Sequence, residues 1–345
     1  MLVLGLMATL WGLGWAFGLP SRLRAQTVIL LWAAAILAHL ILPEESPLRQ
    51  MIGGSAASWL VLGAVAVLVL AYRAVLQRLR ARAAPEVVPE SGPFRQAELT
   101  RYARHILLRE IGGPGQLRLK DAKVLVVGAG GLGSPAILYL AAAGVGTIGV
   151  IDGDVVEASN LQRQILHTED RIGQPKVQSA QAAVQALNPF VTLRSYNRRL
   201  TEEIARDLIA EYDLVLDGTD NFDTRYLVNR ICVALGKPLI SGAMTQWEGQ
   251  VSLYHPAAGA PCYQCVFPER PAPGMVPTCA EAGVVAPLPG IIGSIMATEA
   301  VKHLTGAGET LAGRLMIHDA LYAEARVIGV KRRADCPVCG GLHQS

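Results

Sequence analysis

The sequence predicts an α/β fold, a Rossmann-like and mostly parallel sheet, preceded by three transmembrane helices. Three observations predict it. An apolar, β-branched run, Lys123–Val127, leads at once into Gly128-Ala-Gly-Gly-Leu-Gly133 and then a helix-like run over 134–143. Four of the six cysteines fall in two C-x-x-C pairs, which points to a structural metal subsite rather than disulfides. Apolar residues crowd the first eighty or so positions, and the rest reads as a conventional soluble domain.

The bulk numbers agree with that division. A chain of 345 residues has room for about two domains. It is 51% hydrophobic and 17% charged, with mean hydropathy +0.33, whereas a soluble domain is charged at about a quarter of its positions. The net charge of +3 is small and no Lys/Arg block stands out, so no nucleic-acid partner is expected.

The three apolar stretches are 2–19, 28–42 and 56–72, and none contains a charge. Crossing about 30 Å of hydrocarbon takes roughly 17–25 helical residues. The second stretch reaches that length only with help from Ala25 and Gln26. Met1-Leu2-Val3 lacks the positive charge that opens a signal peptide. Arg22 and Arg24 lie between the first two stretches, and Arg73, Arg78, Arg80 and Arg82 follow the third. The intervening loop carries Glu44 and Glu45 against one Arg49. Lys and Arg mark cytoplasmic loops, so the pattern predicts a multi-pass protein of the inner (cytoplasmic) membrane, with its N-terminus outside and its catalytic domain in the cytoplasm. Residues 1–82 are therefore expected to be a membrane region, 83–98 a linker with Pro85 and Pro89, and 99–345 the nucleotide-binding domain.

Within that domain the run Thr147–Ile151 reads as a second strand ending at Asp152. Strand, glycine turn, helix, strand and acid is the order a nucleotide fingerprint requires. The glycines let backbone N–H groups approach phosphate at a helix N-terminus, and the acid some 20 positions on takes ribose hydroxyls. Further strands are expected near 214–216 and 238–241, and helices at Lys176–Leu187 and 224–235. Arg163 and Lys176 fall in loops beside the nucleotide strand, which suits ATP, whose triphosphate must be neutralised as pyrophosphate leaves. Asp217-Gly-Thr-Asp220-Asn221 ends another strand, where a carboxylate can hold Mg²⁺.

At these residues the chain resembles the ThiF/MoeB/HesA family, adenylyltransferases for sulfur-carrier proteins related to ubiquitin-activating enzymes. The resemblance rests on Arg101-Tyr-Ala-Arg104, Gly128–Gly133, Asp152-Gly-Asp154, Ser159-Asn-Leu-Gln-Arg163, Gly173-Gln-Pro-Lys176 and Asp217–Asn221. It also rests on Glu248-Gly-Gln250, Thr278-Cys279-Ala-Glu-Ala-Gly283 and both cysteine pairs. It runs in order through about 240 residues.

The resemblance implies that Gly131 lies against the nucleotide and Asp152 binds the ribose, with Gly128, Gly133 and Asp154 also in the nucleotide site. Ser159, Asn160, Gln162 and Arg163 then surround adenosine and phosphates, Lys176 contacts phosphate, and Asp220 holds Mg²⁺ with Asn221 beside it. It also implies a homodimer in which Arg104 reaches into the neighbouring subunit's site; taken alone, Arg104 reads as a surface helix charge.

Cys262, Cys265, Cys336 and Cys339 suit a closed tetrahedral Zn²⁺ site that ties the tail to the body, with a redox dithiol the alternative for either pair alone. Cys279 stands apart in a Gly/Pro-rich stretch and reads as a mobile-loop thiol, while the resemblance implies the site of an acyl or persulfide link. Cys232 reads as apolar packing. The implied reaction joins the C-terminal Gly-Gly carboxylate of a small ubiquitin-like sulfur carrier to AMP, and a separate donor supplies sulfur. Glu248-Gly-Gln250 and the Cys279 segment favour the molybdopterin carrier over a thiamine-type or tRNA-thiolation carrier. Two readings of other classes remain: a dinucleotide oxidoreductase, and a membrane-anchored nucleotide-binding protein without catalysis.

Overall fold

A computed structural model describes residues 2–82, 92–270 and 282–343. The chain divides into two compact units, Met1–Ser91 and Gly92–Ser345.

The first unit is helical: α1 (Leu2–Ala16), α2 (Ser21–Ile41), α3 (Pro47–Ile52) and α4 (Ala56–Arg82). Two stretches are long and apolar enough to cross a membrane, Ser21–Ile41 and Pro47–Leu79. The expected first span is corrected here. The chain is helical only through α1, whose 15 residues reach roughly 22 Å at about 1.5 Å each, short of about 30 Å of hydrocarbon. Gly18, at φ +70°, and Pro20 follow the helix and prevent its continuation. Met7, Ala35, Ile52 and Trp59 form a small core joining the four helices. The indole of Trp32 lies against Gly63, where a Cβ would come 2.2 Å from the ring, so only glycine lets α2 and α4 approach this closely.

The second unit is built on an eight-stranded sheet in the order β3-β2-β1-β4-β5-β6-β7-β8. Strands β1 (Lys123–Val127), β2 (Thr147–Ile151), β3 (Thr192–Tyr196), β4 (Leu214–Asp217) and β5 (Leu239–Thr245) pair in parallel. Strands β6 (Glu248–Tyr254), β7 (Arg314–Asp319) and β8 (Glu324–Gly329) continue the sheet antiparallel. Helices precede and connect the strands: α5 (Gln96–Ile106), α6 (Gly112–Asp121), α7 (Gly133–Ala143), α8 (Lys176–Leu187), α9 (Glu202–Ala210), α10 (Phe222–Ala234), the short α11 (Tyr263–Val266) and α12 (Pro287–Thr305).

Both faces of the parallel half are covered, which explains why its strands read as unbroken apolar runs. Val124 and Val126 of β1 enter the core with α7, α8 and α12. Leu125 and Val127 enter the opposite one, with α9 and α10. Gly149 in β2 has a specific reason: a Cβ there would lie 2.2 Å from the Tyr212 hydroxyl, so the missing side chain is what admits that ring. The carboxyl ends of β1, β2 and β4 meet where the strand order reverses, which is where open α/β sheets bind ligands.

The four paired cysteines converge. Cys262 and Cys265 flank the start of α11, and Cys336 and Cys339 lie in the tail after β8; all four are buried. Sulfur–sulfur distances are 3.8 Å (Cys262–Cys265), 3.6 Å (Cys262–Cys336) and 3.4 Å (Cys265–Cys339), and all four sulfurs lie within 4.8 Å of one another. Thiolates about 2.3 Å from one tetrahedral zinc stand about 3.8 Å apart, so the set fits a closed zinc site; a disulfide requires about 2.05 Å. Burial holds the Cys262 thiol above its ordinary range and pushes Cys339 up to about 11. Burial opposes ionisation of Cys336 as well, but hydrogen bonds from the backbone N–H groups of Cys339 and Val338 and with the Cys262 and Cys265 thiols together lower that thiol. A bound dication would make up for the rest. With Val233 of α10 packed against the cluster, zinc here would clamp the tail onto the parallel half of the domain.

Stripping zinc with a chelator, or the substitution Cys339→Ser, is expected to lower the melting temperature of this unit by about 10 °C, since the site is worth several kcal/mol and each corresponds to about 2–4 °C. Zinc content and thermal unfolding check this, and an unchanged melting curve after zinc loss rules out the clamp.

Candidate functional site

A cleft of about 640 Å³ opens at the carboxyl ends of β1, β2, β3 and β4. Its floor is the glycine turn. Gly128 sits at φ +94°, a conformation that disfavours any side chain, and a Cβ on Gly133 would fall 1.9 Å from the Gly128 carbonyl oxygen. Gly133 thus tightens the turn from behind and is not in the cleft lining, whereas Gly128, Gly130 and Gly131 are.

Asp152, at the end of β2, holds the turn from the side. Its Oδ2 accepts the Ala129 N–H at 2.8 Å and its Oδ1 accepts the Asp154 N–H at 2.8 Å. Asp154 in turn binds Lys176, with Nζ 3.0 Å from its Oδ2. The lysine is buried at the first position of α8, while the carboxylate is half exposed.

Arg163 also lines the cleft. Its guanidinium donates to the Ser159 carbonyl oxygen at 3.2 Å and to Asn160 Oδ1 at 3.4 Å. Ser159 and Asn160 therefore support Arg163 and do not form the wall themselves. Gln162 turns elsewhere, donating to the Val284 carbonyl oxygen at 3.5 Å.

The opposite wall is the loop after β4. Asp217 is buried and caps its own turn, accepting from the Thr219 N–H at 3.0 Å and hydroxyl at 2.7 Å. Beneath it Arg225, 5% exposed, lies 3.6 Å from Asp217 Oδ2, donates to Ser241 Oγ at 3.0 Å and also binds the Thr219 carbonyl oxygen. The loop thus fixed leaves the Asp220 carboxylate exposed and lining the cleft, without a cation among the described residues. Asn221 lines the cleft too, but its Oδ1 is taken up in capping α10 through the Thr224 N–H at 2.9 Å.

The structure therefore gathers Gly128, Gly131, Asp152, Asp154, Arg163, Lys176, Asp220 and Asn221 around one space. Arg104 lies elsewhere, exposed in the last turn of α5. Cys279 falls outside the described residues.

Several residues of this site escaped the reading of the sequence. Arg198 and Arg199 line the cleft from the loop after β3, a strand whose residues TLRSY carry too few apolar positions to signal one. Gln164 is buried beside Gly130, next in sequence to Arg163. His167 is buried behind the turn, bonded to the Ala129 carbonyl oxygen and to Ser179 Oγ, each at 2.9 Å. Nothing local in the sequence marks it.

Comparison with known proteins bears on this geometry. The ThiF family model matches residues 102–338. A "Sulfur carrier protein adenylyltransferase" of Thermus thermophilus is 53% identical over 247 residues, covering 70% of this chain and 91% of the relative. The "Probable adenylyltransferase/sulfurtransferase MoeZ" of Mycobacterium tuberculosis is 48% identical over 256 residues, covering 73% of this chain but 65% of the relative. Among solved structures, Escherichia coli MccB with ATP superposes with a TM-score of 0.60 at 23% identity over 70% of this chain and 75% of that one, a likeness of fold. The matched region holds the whole cleft and three of the four clustered cysteines, ending one residue before Cys339, and the chain belongs to the ThiF family.

Proposed function

We propose that the chain binds MgATP in this cleft and adenylates the C-terminal carboxylate of a small ubiquitin-like sulfur-carrier protein, the one serving molybdenum-cofactor synthesis. The observation that carries the reading is the convergence of Arg163, Lys176 and Asp220 on the glycine turn. The names of the Thermus and mycobacterial relatives support the reaction class. Glu248-Gly-Gln250 supports the choice of carrier.

In the reaction a carboxylate oxygen of the carrier attacks the α-phosphorus, the bond to the bridging oxygen of the β-phosphate breaks, and pyrophosphate departs with that electron pair. The product is a carrier acyl-adenylate, open to attack by sulfur from a separate donor. Carboxylates are weak nucleophiles, so alignment and charge neutralisation supply most of the rate. Asp152 would hold the ribose through its remaining lone pairs. Arg163 and Lys176 would stabilise charge on the phosphates. The cleft lining carries four cations, Arg163, Lys176, Arg198 and Arg199, against four carboxylates, Asp152, Asp154, Asp220 and Asp223. Such a balanced lining cannot by itself neutralise a triphosphate, which favours a divalent cation at Asp220. Bound there, Mg²⁺ would supply neutralisation of the leaving pyrophosphate.

Arg104, exposed and away from its own cleft, would complete the site of a partner subunit in a homodimer. The two apolar stretches would anchor the enzyme in the cytoplasmic membrane. Only 11% and 6% of their apolar windows are buried, unlike the core helix of a soluble domain. Arg22, Arg24, Arg73 and Arg78 would mark the cytoplasmic side.

The purified chain, offered molybdopterin-type, thiamine-type and tRNA-thiolation carriers, is expected to exchange labelled pyrophosphate into ATP with the first. No exchange with any of them refutes the reading. Asp220→Ala should reduce exchange at least about a hundredfold while zinc stays near one per chain. Co-expressed Asp220→Ala and Arg104→Ala chains should recover about a quarter of the wild-type rate, because half the dimers are mixed and each mixed dimer has one complete site; recovery of none argues against a shared site. The full chain should stay with membranes through an alkaline wash, and release by that wash would count against spanning helices.

A further inference from the structure

His167 is 5% exposed and takes no part in the reaction outlined above. It sits behind the glycine turn, with Nε2 2.9 Å from the Ala129 carbonyl oxygen and Nδ1 2.9 Å from Ser179 Oγ on α8. A carbonyl oxygen only accepts, so Nε2 carries the proton and Nδ1 accepts from the serine hydroxyl. Burial pushes the imidazole below its ordinary range, which keeps this neutral form at neutral pH.

The consequence lies on the other side of the peptide. In a trans peptide the C=O of one residue and the N–H of the next point in opposite directions, and the described backbone has no cis bond. The Ala129 carbonyl faces His167, so the Gly130 N–H faces away from it. Gly130 lines the cleft, and among the described residues its N–H has no acceptor. The preceding peptide is fixed as well, because the Ala129 N–H is bonded to Asp152. Asp152 therefore sets one peptide of the turn and His167 the next.

We infer that His167 is a positioning residue for nucleotide phosphate: its Nε2–H holds the Ala129 carbonyl away from the cleft and so aims the Gly130 N–H into it. Without that bond the peptide can turn over and present a carbonyl oxygen, which repels phosphate. The inference rests on the proposed occupancy of the cleft by a nucleotide but not on the identity of the acyl acceptor.

The test is calorimetric titration of the full chain, in detergent, with ATP, AMP and adenosine. His167→Phe keeps a planar ring, removes the donor and leaves no space for water. It should weaken ATP and AMP binding about tenfold, the usual weight of one hydrogen bond to a charged group, and leave adenosine binding unchanged. His167→Gln, which still offers an N–H, should restore most of the loss. If His167→Phe does not fold, His167→Leu takes its place, with zinc content and thermal unfolding as the criterion of a folded chain. Wild-type ATP affinity in either folded apolar variant overturns the inference, as does an equal loss for adenosine or a failure of glutamine to rescue. A wild-type chain that binds ATP but adenylates no carrier would sink the proposed function and leave this test standing.

Discussion

The candidate site depends on how one short stretch of backbone is held. Ala129 lies in the glycine turn with its N–H on Asp152 and its C=O on His167. Neither contact is possible without the glycines around it. Gly128 supplies the left-handed backbone that starts the turn, and Gly133 lets helix α7 begin against the Gly128 carbonyl. Asp152 reaches the turn because β1 and β2 are adjacent and in parallel register, Val127 beside Ile151. His167 reaches it because Ser179 and the start of α8 lie behind it. Backbone donors are aimed by side chains that belong to neighbouring strands and loops.

The opposite wall is arranged the same way but with charge. Arg225 and Asp217 are buried together, and removing one member of such a pair costs about 3–5 kcal/mol because the other charge is left unpaired. Their geometry is used on the loop, where Arg225 holds the Thr219 carbonyl and Asp217 holds the Thr219 N–H and hydroxyl. The result is a braced turn that leaves Asp220 exposed and, among the described residues, without a cation. A carboxylate placed this way is available to a hard cation, whereas Asp217, held by three hydrogen bonds and by Arg225, is not. Of two acids three residues apart, the fold assigns one to structure and one to solvent.

How much of this was legible in the sequence follows from the same physics. Strands β1 and β2 are covered on both faces, so they read as continuous β-branched runs bounded by glycine and aspartate. Strand β3 is at the sheet edge and mostly exposed, and its residues gave no apolar signal, so the arginines that follow it were not seen as neighbours of the cleft. Strand β8 carries no apolar signal for a related reason, since it is exposed along its whole length. Cysteine spacing did reveal the four-thiol cluster, because that pattern has little use besides metal. His167 could not be found this way, since its partners are 38 and 12 residues distant and its value lies in a backbone carbonyl that has no sequence identity. The first apolar stretch has the length and the lack of charge of a span, but its helix ends at Ala16, ahead of Gly18 and Pro20.

The two cleft cations named from the sequence are held differently, and the difference gives them different parts to play. Arg163 is bonded to neutral acceptors, the Ser159 carbonyl and Asn160 side chain, so its orientation is set while its charge remains unspent. Lys176 is already paired with Asp154. A phosphate must therefore compete for it, but Asp154 is half exposed and water can replace the lysine at little cost. Under the proposed function Arg163 would therefore attract a nucleotide before any contact is made. In the proposed reaction Lys176 would give its charge to phosphate only on close approach, and Asp154 would take it back once pyrophosphate had left. Because Asp154 also donates its N–H to Asp152, the carboxylate that receives the lysine back is fixed to the same network that holds the glycine turn.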